Sequence, residues 1–255
     1  MKTNMECLSV VIPCFNEEAT IIELINSVLS QTFVKEIIVI DDGSRDNSIE
    51  LIKSVDSKKV KLLVNPENLG KGRTVSKGLN EATGEFVVIQ DADLEYDPKE
   101  YAVLLEPLLD GRADVVYGSR FLTSTSRRVL YYWHRLGNSV LTTLSNIATN
   151  IDLTDMETCY KVMRLQVAKS LNIQENRFGI EPEMTAKFAA MKLRIFEVPI
   201  SYNGRTYEEG KKITWKDGFS ALRCIVKYNT PRKKKLQLNK WRGSKNTLPN
   251  DSNDQ

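Results

Sequence analysis

The chain has 255 residues, of which 41% are hydrophobic, so it is long enough to bury a full core in one large domain. Its formal net charge of +3 is too small to indicate a nucleic-acid-binding protein. The four cysteines have neither metal-ligand nor disulfide-framework spacing, which indicates a reducing compartment. The single histidine, His134, argues against a histidine-based metal site and against a Ser-His-Asp triad.

The N-terminal segment does not have the pattern of a signal peptide, because Asn4 and Glu6 interrupt it before any adequate apolar stretch. No run of apolar residues reaches the roughly 20 that a membrane-spanning helix needs. We therefore expect a cytoplasmic protein, either soluble or peripheral on the cytoplasmic face of a membrane.

The first half of the chain alternates apolar strands with amphipathic helices. The predicted strands are residues 8–14, 36–40, 60–64, 86–90 and 114–117. The predicted helices begin at Asn16 as N-cap, near Asp46, at Arg73 and at Asp97. The strands at 36–40 and 86–90 are too apolar and too β-branched for a sheet edge. This alternation predicts an α/β fold with a doubly wound, mostly parallel sheet and helices on both faces.

After Arg120 the pattern changes. The predicted helices there are residues 127–149, 181–191 and 215–228, the predicted strands are 160–163 and 195–200, and 203–214 is a charged loop. From Pro231 the chain is basic and then polar, a composition that buries too little apolar surface to order itself. We expect residues 1–230 to form a single domain and residues 231–255 to be a disordered tail.

Acidic residues end two of the predicted buried strands. Asp41 and Asp42 follow the second strand, and Asp91 and Asp93 follow the fourth. These strand ends fall in the crevice where open α/β sheets bind ligands. Two carboxylates one residue apart can share Mg²⁺ or Mn²⁺, which prefer oxygen ligands and substrate phosphates. The pattern favours a nucleotide site with a metal on its diphosphate, with Asp41 and Asp42 accepting hydrogen bonds from ribose or base.

The segment Gly70-Lys71-Gly72 leads into a predicted helix. Glycine lets a backbone approach a diphosphate closely, and the Lys71 ammonium would offset the charge of that group. The segment is not a Walker loop, because the upstream glycine and the Lys-Ser/Thr ending are absent. A kinase or ATPase is therefore weakly supported.

Four motifs together resemble a known family. They are Val10-Val11-Ile12-Pro13-Cys14-Phe15-Asn16-Glu17, Ile40-Asp41-Asp42-Gly43-Ser44, Asn68-Leu69-Gly70-Lys71-Gly72 and Asp91-Ala92-Asp93. In order and spacing the chain resembles the inverting family-two glycosyltransferases from about residue 8 to residue 228. The resemblance is to their polyprenyl-phosphate branch, the dolichol-phosphate mannosyltransferases and bacterial relatives. It implies a GT-A fold, a nucleotide-diphosphate-sugar donor, Mg²⁺ or Mn²⁺, and a polyprenyl phosphate acceptor.

The resemblance also implies roles for single residues. The expected nucleotide-binding residues, with Lys71 added from the reasoning above, are Pro13, Asn16, Glu17, Asp41, Asp42, Lys71 and Asp91. The expected metal ligands are Asp91, Asp93 and Glu95, where Glu95 stands at a position that is often glutamine in this branch. The expected catalytic residues are Asp93, Asp155, Arg120 and Arg135. Among them, Arg120 and Arg135 resemble the family's binders of the acceptor phosphate, and Asp155 lies in a segment that resembles the family's acidic loop near the reacting sugar.

The leading hypothesis is transfer of a hexose to polyprenyl phosphate. A phosphate monoester is largely ionised at neutral pH, since its second pKa is about 6, so it needs positioning more than a base. A sugar hydroxyl would need a base, for which Asp155 and Glu157 are the candidates. Two alternatives remain open: a soluble sugar or peptide acceptor, and a non-catalytic nucleotide-sugar-binding subunit.

Several segments suggest contact with a membrane. Tyr131, Tyr132 and Trp133 are amphipathic aromatics of the kind enriched at interfaces, and the predicted helix at 215–228 is amphipathic. The basic run at 232–235 would be attracted to an anionic leaflet. We expect an anionic membrane surface or a membrane-protein partner, against the alternative of a buried helix face and a solvated tail.

Overall fold

The computed structural model describes residues 6–122, 128–129, 131–205 and 215–245. Its strands are β1 (Leu8–Cys14), β2 (Val34–Asp41), β3 (Val60–Val64), β4 (Phe86–Ile89), β5 (Val115–Ser119), β6 (Lys161–Arg164) and β7 (Ile195–Pro199). Its helices are α1 (Ile21–Leu29), α2 (Ser48–Lys53), α3 (Lys71–Glu81), α4 (Tyr101–Leu109), α5 (Tyr132–Thr149), α6 (Leu165–Ser170), α7 (Ile180–Met191), α8 (Trp215–Tyr228) and α9 (Pro231–Lys245). A 3₁₀ turn at Pro98–Glu100 precedes α4.

The seven strands form one sheet in the order β3-β2-β1-β4-β6-β5-β7. All neighbours are parallel except β6, which runs antiparallel to both β4 and β5. The sheet is therefore mostly parallel with helices around it, and the predicted fold class is confirmed. The carboxyl ends of β1, β2 and β4 meet at one edge, because Cys14 pairs with Asp41 and Val11 pairs with Ile89.

The apolar runs of the sequence form the centre of this sheet. Val10, Val11 and Ile12 of β1 and the segment 37–40 of β2 have no exposed surface. Such strands are covered on both faces, which explains why their sequences are continuously apolar instead of alternating. Asp41, the last residue of β2, and Asp42 come directly after the apolar segment 37–40, so they lie where this strand leaves the core.

The first helix begins later than the sequence indicates. Asn16 was expected to be its N-cap, but α1 begins at Ile21 with Thr20 at the cap position. The Asn16 backbone has a positive φ of 51°. Its Oδ1 accepts a hydrogen bond from Arg45 N (2.8 Å), and its own N–H donates to Ser44 Oγ (2.9 Å). Asn16 therefore joins the end of β1 to the loop after β2.

Two helical segments differ from the sequence-based expectations. The short helix α6 had no clear signal, and α5 begins at Tyr132, later than the predicted helix at 127–149. Residues 123–127 and 130, at the start of that predicted helix, lie outside the described residues. In the part of the chain that the structure describes, no helix is long and apolar enough to cross a membrane.

The tail is the main departure from expectation. Residues 231–245, expected to be disordered, form the helix α9, which packs against α7. Trp241 is 6% exposed and Gln237 is 7% exposed, and Lys234 Nζ donates to the Ala148 carbonyl at the end of α5 (2.7 Å). Composition gives no sign of such a helix, because burial of a few apolar side chains against a folded surface is enough to stabilise it. Residues 246–255 lie outside the described residues.

Candidate active site

The carboxylate of Asp42 holds the loop that leads into α3. Its Oδ1 accepts hydrogen bonds from Leu69 N (3.0 Å) and Asn65 Nδ2 (2.8 Å), and its Oδ2 accepts one from Gly70 N (2.8 Å). The side chain is buried. Asp42 therefore holds this loop in place, because both of its oxygens are occupied by the protein itself.

Asp41 is bound differently from its neighbour. Its Oδ1 accepts hydrogen bonds from Gly43 N (3.0 Å) and Ser44 N (2.9 Å) in the turn after β2. Its Oδ2 is buried and has no hydrogen-bond partner among the described residues. An unpaired buried carboxylate oxygen is unfavourable, so Asp41 retains the capacity to accept a hydrogen bond at this edge of the sheet.

The glycines around Lys71 have a different role from the one expected. The N–H groups of Gly72 and Arg73 donate to the Asn176 carbonyl, at 2.8 and 3.3 Å. A Cβ on Gly72 would lie 2.0 Å from the Glu175 carbonyl oxygen. These glycines make room for the segment 175–177 against the start of α3. The backbone there is occupied by the protein's own chain and does not form an open cradle.

Three carboxylates and two cations form the acidic centre, which we define as Asp91, Asp93, Glu95, Lys71 and Arg205. Lys71 Nζ lies 2.8 Å from Asp91 Oδ1, and Arg205 Nη2 lies 2.7 Å from Asp93 Oδ2. Glu95 accepts hydrogen bonds from the Tyr202 hydroxyl and from Arg205 N, both at 2.7 Å. The carboxylates that follow β4 are therefore neutralised by side chains from two distant parts of the chain.

Charge crowding in the acidic centre perturbs its carboxyl groups. Burial raises the pKa of Asp93 to about 7, with further upward contributions from Asp91 and Glu95 and a downward one from Arg205. Burial also acts to raise the pKa of Asp91, but the ammonium of Lys71 outweighs it and the net shift is downward. Further positive charge at this place would relieve the repulsion among the three carboxylates.

The donor set of the acidic centre fits a divalent cation. Among the described residues, no three His, Cys, Asp or Glu groups stand in a ready-made metal-ligand arrangement. Mg²⁺ needs no such cage, because it is usually held by one or two carboxylates together with substrate phosphates and water. Asp91 and Asp93 supply two hard oxygen ligands whose mutual repulsion a cation would offset. Both oxygens of Glu95 already accept hydrogen bonds, one from the Tyr202 hydroxyl and one from Arg205 N.

The end of β1 adjoins the acidic centre. The Glu17 carboxylate accepts from the two terminal nitrogens of Arg205 at 3.3 and 3.4 Å, and its N–H donates to Ser48 Oγ (3.0 Å). Pro13 pairs with Ile40, the residue before Asp41. Of the expected nucleotide-binding residues, Pro13 and Glu17 therefore lie at the shared edge of β1, β2 and β4.

Arg120 and Asp155 form a bidentate ion pair. Arg120 Nε lies 2.7 Å from Asp155 Oδ2, and Arg120 Nη2 lies 2.7 Å from Asp155 Oδ1. Asn138 of α5 contacts both partners at 3.2 Å. Asp155 has no exposed surface, and the guanidinium lies 5.0 Å from the centre of the Tyr202 ring. Asp155 is thus placed to fix the orientation of Arg120.

Arg135 approaches the same place from α5. It is exposed, and its guanidinium lies 6.0 Å from the centre of the Phe121 ring. The Arg120 guanidinium lies 5.5 Å from that ring. The two arginines therefore flank one aromatic side chain.

Three residues at the site were not singled out from the sequence. Arg205 is 112 positions from Asp93 and Tyr202 is 107 from Glu95, both in a polar loop with no distinctive pattern. Glu181 begins the predicted helix at 181–191, where a carboxylate reads as an ordinary N-terminal residue. Only the tertiary structure brings them to the strand ends.

A mostly parallel sheet with paired carboxylates at the ends of β2 and β4 is the architecture of the GT-A glycosyltransferases. The chain belongs to glycosyl transferase family 2, whose family model matches residues 9–171. The predicted family is therefore confirmed.

Similar proteins include transferases that act on polyprenyl phosphates. An undecaprenyl-phosphate 4-deoxy-4-formamido-L-arabinose transferase from Aeromonas hydrophila is 30% identical over 82% of this chain and 64% of its own length. A dolichol-phosphate mannosyltransferase from Pyrococcus furiosus is 28% identical over 92% of this chain and 64% of its own length. The chain thus spans somewhat less than two thirds of these relatives.

Solved structures with the same fold include glucosyl-3-phosphoglycerate synthase from Mycobacterium tuberculosis. Its complex with UDP has a TM-score of 0.68 and 20% identity, and the match covers 88% of this chain and 80% of that one. The complex of the same enzyme with Mn²⁺, UDP and glucosyl-3-phosphoglycerate has a TM-score of 0.67 and 20% identity, over 87% of this chain and 79% of the other. At this identity the likeness establishes the fold.

Proposed function

We propose that this protein transfers a hexose, with inversion, from a nucleotide diphosphate sugar to a polyprenyl phosphate, with Mg²⁺ or Mn²⁺ as cofactor. The acceptor class is supported by the two curated relatives, whose names state undecaprenyl phosphate and dolichol phosphate. The donor and the metal are supported by the acidic centre and by the UDP and Mn²⁺ in the structurally similar synthase.

We call the edge at which the carboxyl ends of β1, β2 and β4 meet the strand edge. Each group of residues along it has a role in this proposal. Asp41 accepts a hydrogen bond from the nucleoside, while Asp42 keeps the pocket wall in place, and Pro13, Asn16 and Glu17 line the remaining side. Asp91 and Asp93, with Glu95 beside them, would hold the divalent cation. The cation supplies Lewis-acid stabilisation of the diphosphate leaving group. Lys71 contributes a further positive charge next to Asp91.

The observation that carries the proposal is the buried Arg120–Asp155 pair. A hydroxyl acceptor needs a base. Of the two candidates, Asp155 is unsuited to that role, because both of its oxygens are bound to Arg120 and Asn138 and the side chain has no exposed surface. A phosphate acceptor is already ionised and needs orientation instead. Arg120, oriented by Asp155, and the nearby Arg135 provide two cations for that task.

The outer face of α5 and α8 supports an acceptor held at a membrane. We define this apolar face by its exposed side chains, with their exposed fractions: Tyr132 (68%), Trp133 (74%), Leu136 (39%), Val140 (49%), Leu144 (37%), Ile147 (75%), Phe219 (67%), Leu222 (39%) and Val226 (67%). Helices α5 and α9 contain no acidic residue, and α8 contains one acid, Asp217, and three basic residues. An apolar face among cations can lie in the interface of an anionic membrane.

Purified protein, Mg²⁺ or Mn²⁺, and a panel of nucleotide sugars with and without polyprenyl phosphate provide the test. We expect sugar transfer that needs both the lipid phosphate and the metal, and that stops in EDTA. Transfer to a soluble sugar or peptide instead would contradict the acceptor. Donor binding without transfer or hydrolysis across the panel would identify a nucleotide-sugar-binding subunit.

A further inference from the structure

Glu197 lies on β7, the strand at one edge of the sheet, opposite Tyr117 of β5. Charged side chains on edge strands commonly face solvent and discourage pairing with other chains. The Glu197 carboxylate is instead bound to the loop that joins α5 to β6. Thr154 N donates to both of its oxygens (3.0 and 2.9 Å), and Thr154 Oγ1 (3.1 Å) and Asp155 N (3.3 Å) donate to its Oε1. Glu197 therefore anchors Asp155 of the buried ion pair and the residue before it.

The anchored loop holds Arg120 by two routes. Asp155 accepts hydrogen bonds from the Arg120 guanidinium and from Arg120 N (3.1 Å). Thr154 Oγ1 lies 2.6 Å from the hydroxyl oxygen of Ser119, the residue before Arg120. Ser119 Oγ in turn accepts from the N–H of Phe121 (3.2 Å), the residue whose ring both arginines flank. The residues before, at and after Arg120 are thus tied to one loop.

The negative charge of Glu197 gives these hydrogen bonds one direction. A carboxylate only accepts, so Thr154 Oγ1 donates its single proton to Glu197. Ser119 Oγ must then donate to Thr154 Oγ1. The lone pairs of Ser119 Oγ are left for the N–H groups of Phe121 and Leu122. The charge of Glu197, as well as its position, therefore maintains this arrangement.

We propose that Glu197 is a positioning residue for the acceptor: by fixing the loop that carries Asp155, it holds the Arg120 guanidinium ready for the acceptor phosphate. This inference rests on the proposed function, which gives Arg120 that ligand. A guanidinium that is already held loses less conformational freedom on binding, so acceptor affinity should fall when the anchor is weakened. Among the described residues, the Glu197 carboxylate has no hydrogen bond or ion pair with the acidic centre, so donor binding should be unaffected.

Isothermal titration with geranyl phosphate, a short polyprenyl monophosphate, tests the acceptor side directly. The proteins are the wild type, Glu197→Gln and Thr154→Val, and UDP and GDP with Mn²⁺ are the probes of the donor side. Glu197→Gln keeps the shape and removes the charge, whereas Thr154→Val removes the hydroxyl between Glu197 and Ser119. We expect geranyl phosphate to bind about fivefold more weakly to each variant, and the preferred nucleotide to change less than about twofold.

Glu36→Gln is the matched control. Glu36 on β2 has the same pattern of partners, since it accepts from Thr83 N (2.7 Å), Thr83 Oγ1 (2.7 Å) and Ser9 Oγ (2.6 Å). These groups lie near the amino ends of β1, β2 and β4, at the opposite edge of the sheet from the acidic residues. This substitution should leave the affinities for geranyl phosphate and nucleotide within about twofold of the wild type.

A double variant separates positioning from a general structural role. Adding Glu197→Gln to Asp155→Asn should weaken the binding of geranyl phosphate by less than about twofold, because Glu197 acts largely through Asp155. A full, additive loss of affinity in the double variant would overturn the inference.

Wild-type affinity for geranyl phosphate in either single variant, or an equal loss for geranyl phosphate and nucleotide, would also overturn the inference and leave the proposed function intact. If melting curves show that Glu197→Gln does not fold, Thr154→Val decides by the same criteria. A wild type that does not bind geranyl phosphate would overturn the proposed acceptor itself.

Discussion

The strand edge and the apolar face of α5 and α8 differ in how far their side chains are paired within the fold. At the strand edge, Asp42, Asp91 and Asp93 each bond to backbone N–H groups or to a cation from elsewhere in the chain. On the apolar face, large side chains such as Trp133 and Ile147 remain open to solvent. The comparison teaches that most polar groups of the strand edge are satisfied within the fold, with Asp41 Oδ2 as an exception, whereas the apolar face is suited to a further apolar surface.

This difference matters because a contiguous apolar patch is unusual on a protein that acts alone in water. Polar groups at the strand edge can be satisfied in the absence of ligand, since lysine and arginine side chains reach across the crevice. Apolar side chains have no such internal substitute on the outside of α5. Substitutions at the strand edge should therefore affect sugar transfer, and substitutions on the apolar face should affect membrane binding.

The largest effect is expected at Asp93. We predict that Asp93→Asn lowers sugar transfer by more than about 100-fold, because it removes a carboxylate from the acidic centre, where the proposed function places the metal and the diphosphate leaving group. Thermal unfolding should change little, since the substitution also relieves the repulsion with Asp91 and Glu95 and leaves Arg205 paired with Glu17. Initial rates with saturating donor and metal, together with a melting curve, measure both quantities.

Asp97→Asn is the matched control for Asp93. Asp97 caps the 3₁₀ turn by accepting from Lys99 N (3.0 Å), four residues beyond Asp93. Its substitution should cost at most about 1 kcal/mol of stability and leave transfer within about twofold. Full activity of Asp93→Asn, or of the wild type in EDTA, would contradict the role of the acidic centre.

Asp155 distinguishes a positioning role from a base. Removing one partner of a buried ion pair leaves an uncompensated charge, which destabilises the fold. Arg120 keeps some access to solvent, which reduces this cost. We therefore predict that Asp155→Asn lowers the free energy of unfolding by about 2 to 3 kcal/mol. Transfer should fall but persist, because the acceptor phosphate carries its own charge. Urea unfolding and initial rates test this. Unchanged stability with complete loss of turnover would identify Asp155 as a base and favour a hydroxyl acceptor.

Flotation with liposomes tests the apolar face. We predict that Trp133→Ser and Phe219→Ser each weaken binding to anionic vesicles about 10-fold, because each removes a large apolar group from the interface. Binding should also weaken with salt, since exposed charges are screened over about 8 Å at physiological ionic strength.

Val64→Ser, an exposed position on the edge strand β3, is the control and should bind as the wild type does. Equal recovery on neutral and anionic vesicles would contradict the electrostatic contribution. A wild type that binds neither kind would exclude direct membrane docking and favour a soluble acceptor or a membrane-protein partner.

The smallest effect concerns the attachment of α8. Burial acts to raise the pKa of Glu175, but hydrogen bonds from Lys227, Tyr228 and Arg223 outweigh it and lower the pKa to about 2. A carboxyl with a depressed folded-state pKa stabilises the fold above its ordinary pKa of about 4.3 and loses that contribution as pH falls towards 2. Melting temperatures between pH 5 and pH 2.5 should therefore fall less steeply in Glu175→Gln. Parallel curves for the two proteins would refute this.

The sequence determined the central sheet and the place of its acids. The bounds of β1 and β3 agree with the predicted strands, β2 extends two residues before and one residue beyond its predicted strand, and β4 ends one residue early. Continuous apolar, β-branched runs admit few alternatives to a doubly covered strand, and the carboxyl ends of parallel strands share one edge. Asp41, Asp42, Asp91 and Asp93 were located at this edge on that basis alone.

Tertiary structure alone decided which charges meet. Arg205 reaches Asp93 across 112 positions, Glu181 meets Lys71 from the start of α7, and Asn176 occupies the backbone that Gly72 leaves open. It also ordered α9, whose Trp241 is buried on a surface that exists only in the folded chain. Local sequence patterns predict helices and strands because hydrophobic periodicity and turn preferences depend on only a few neighbouring residues. Contacts between polar side chains depend on how the elements pack, and a single sequence has no periodic signal for them.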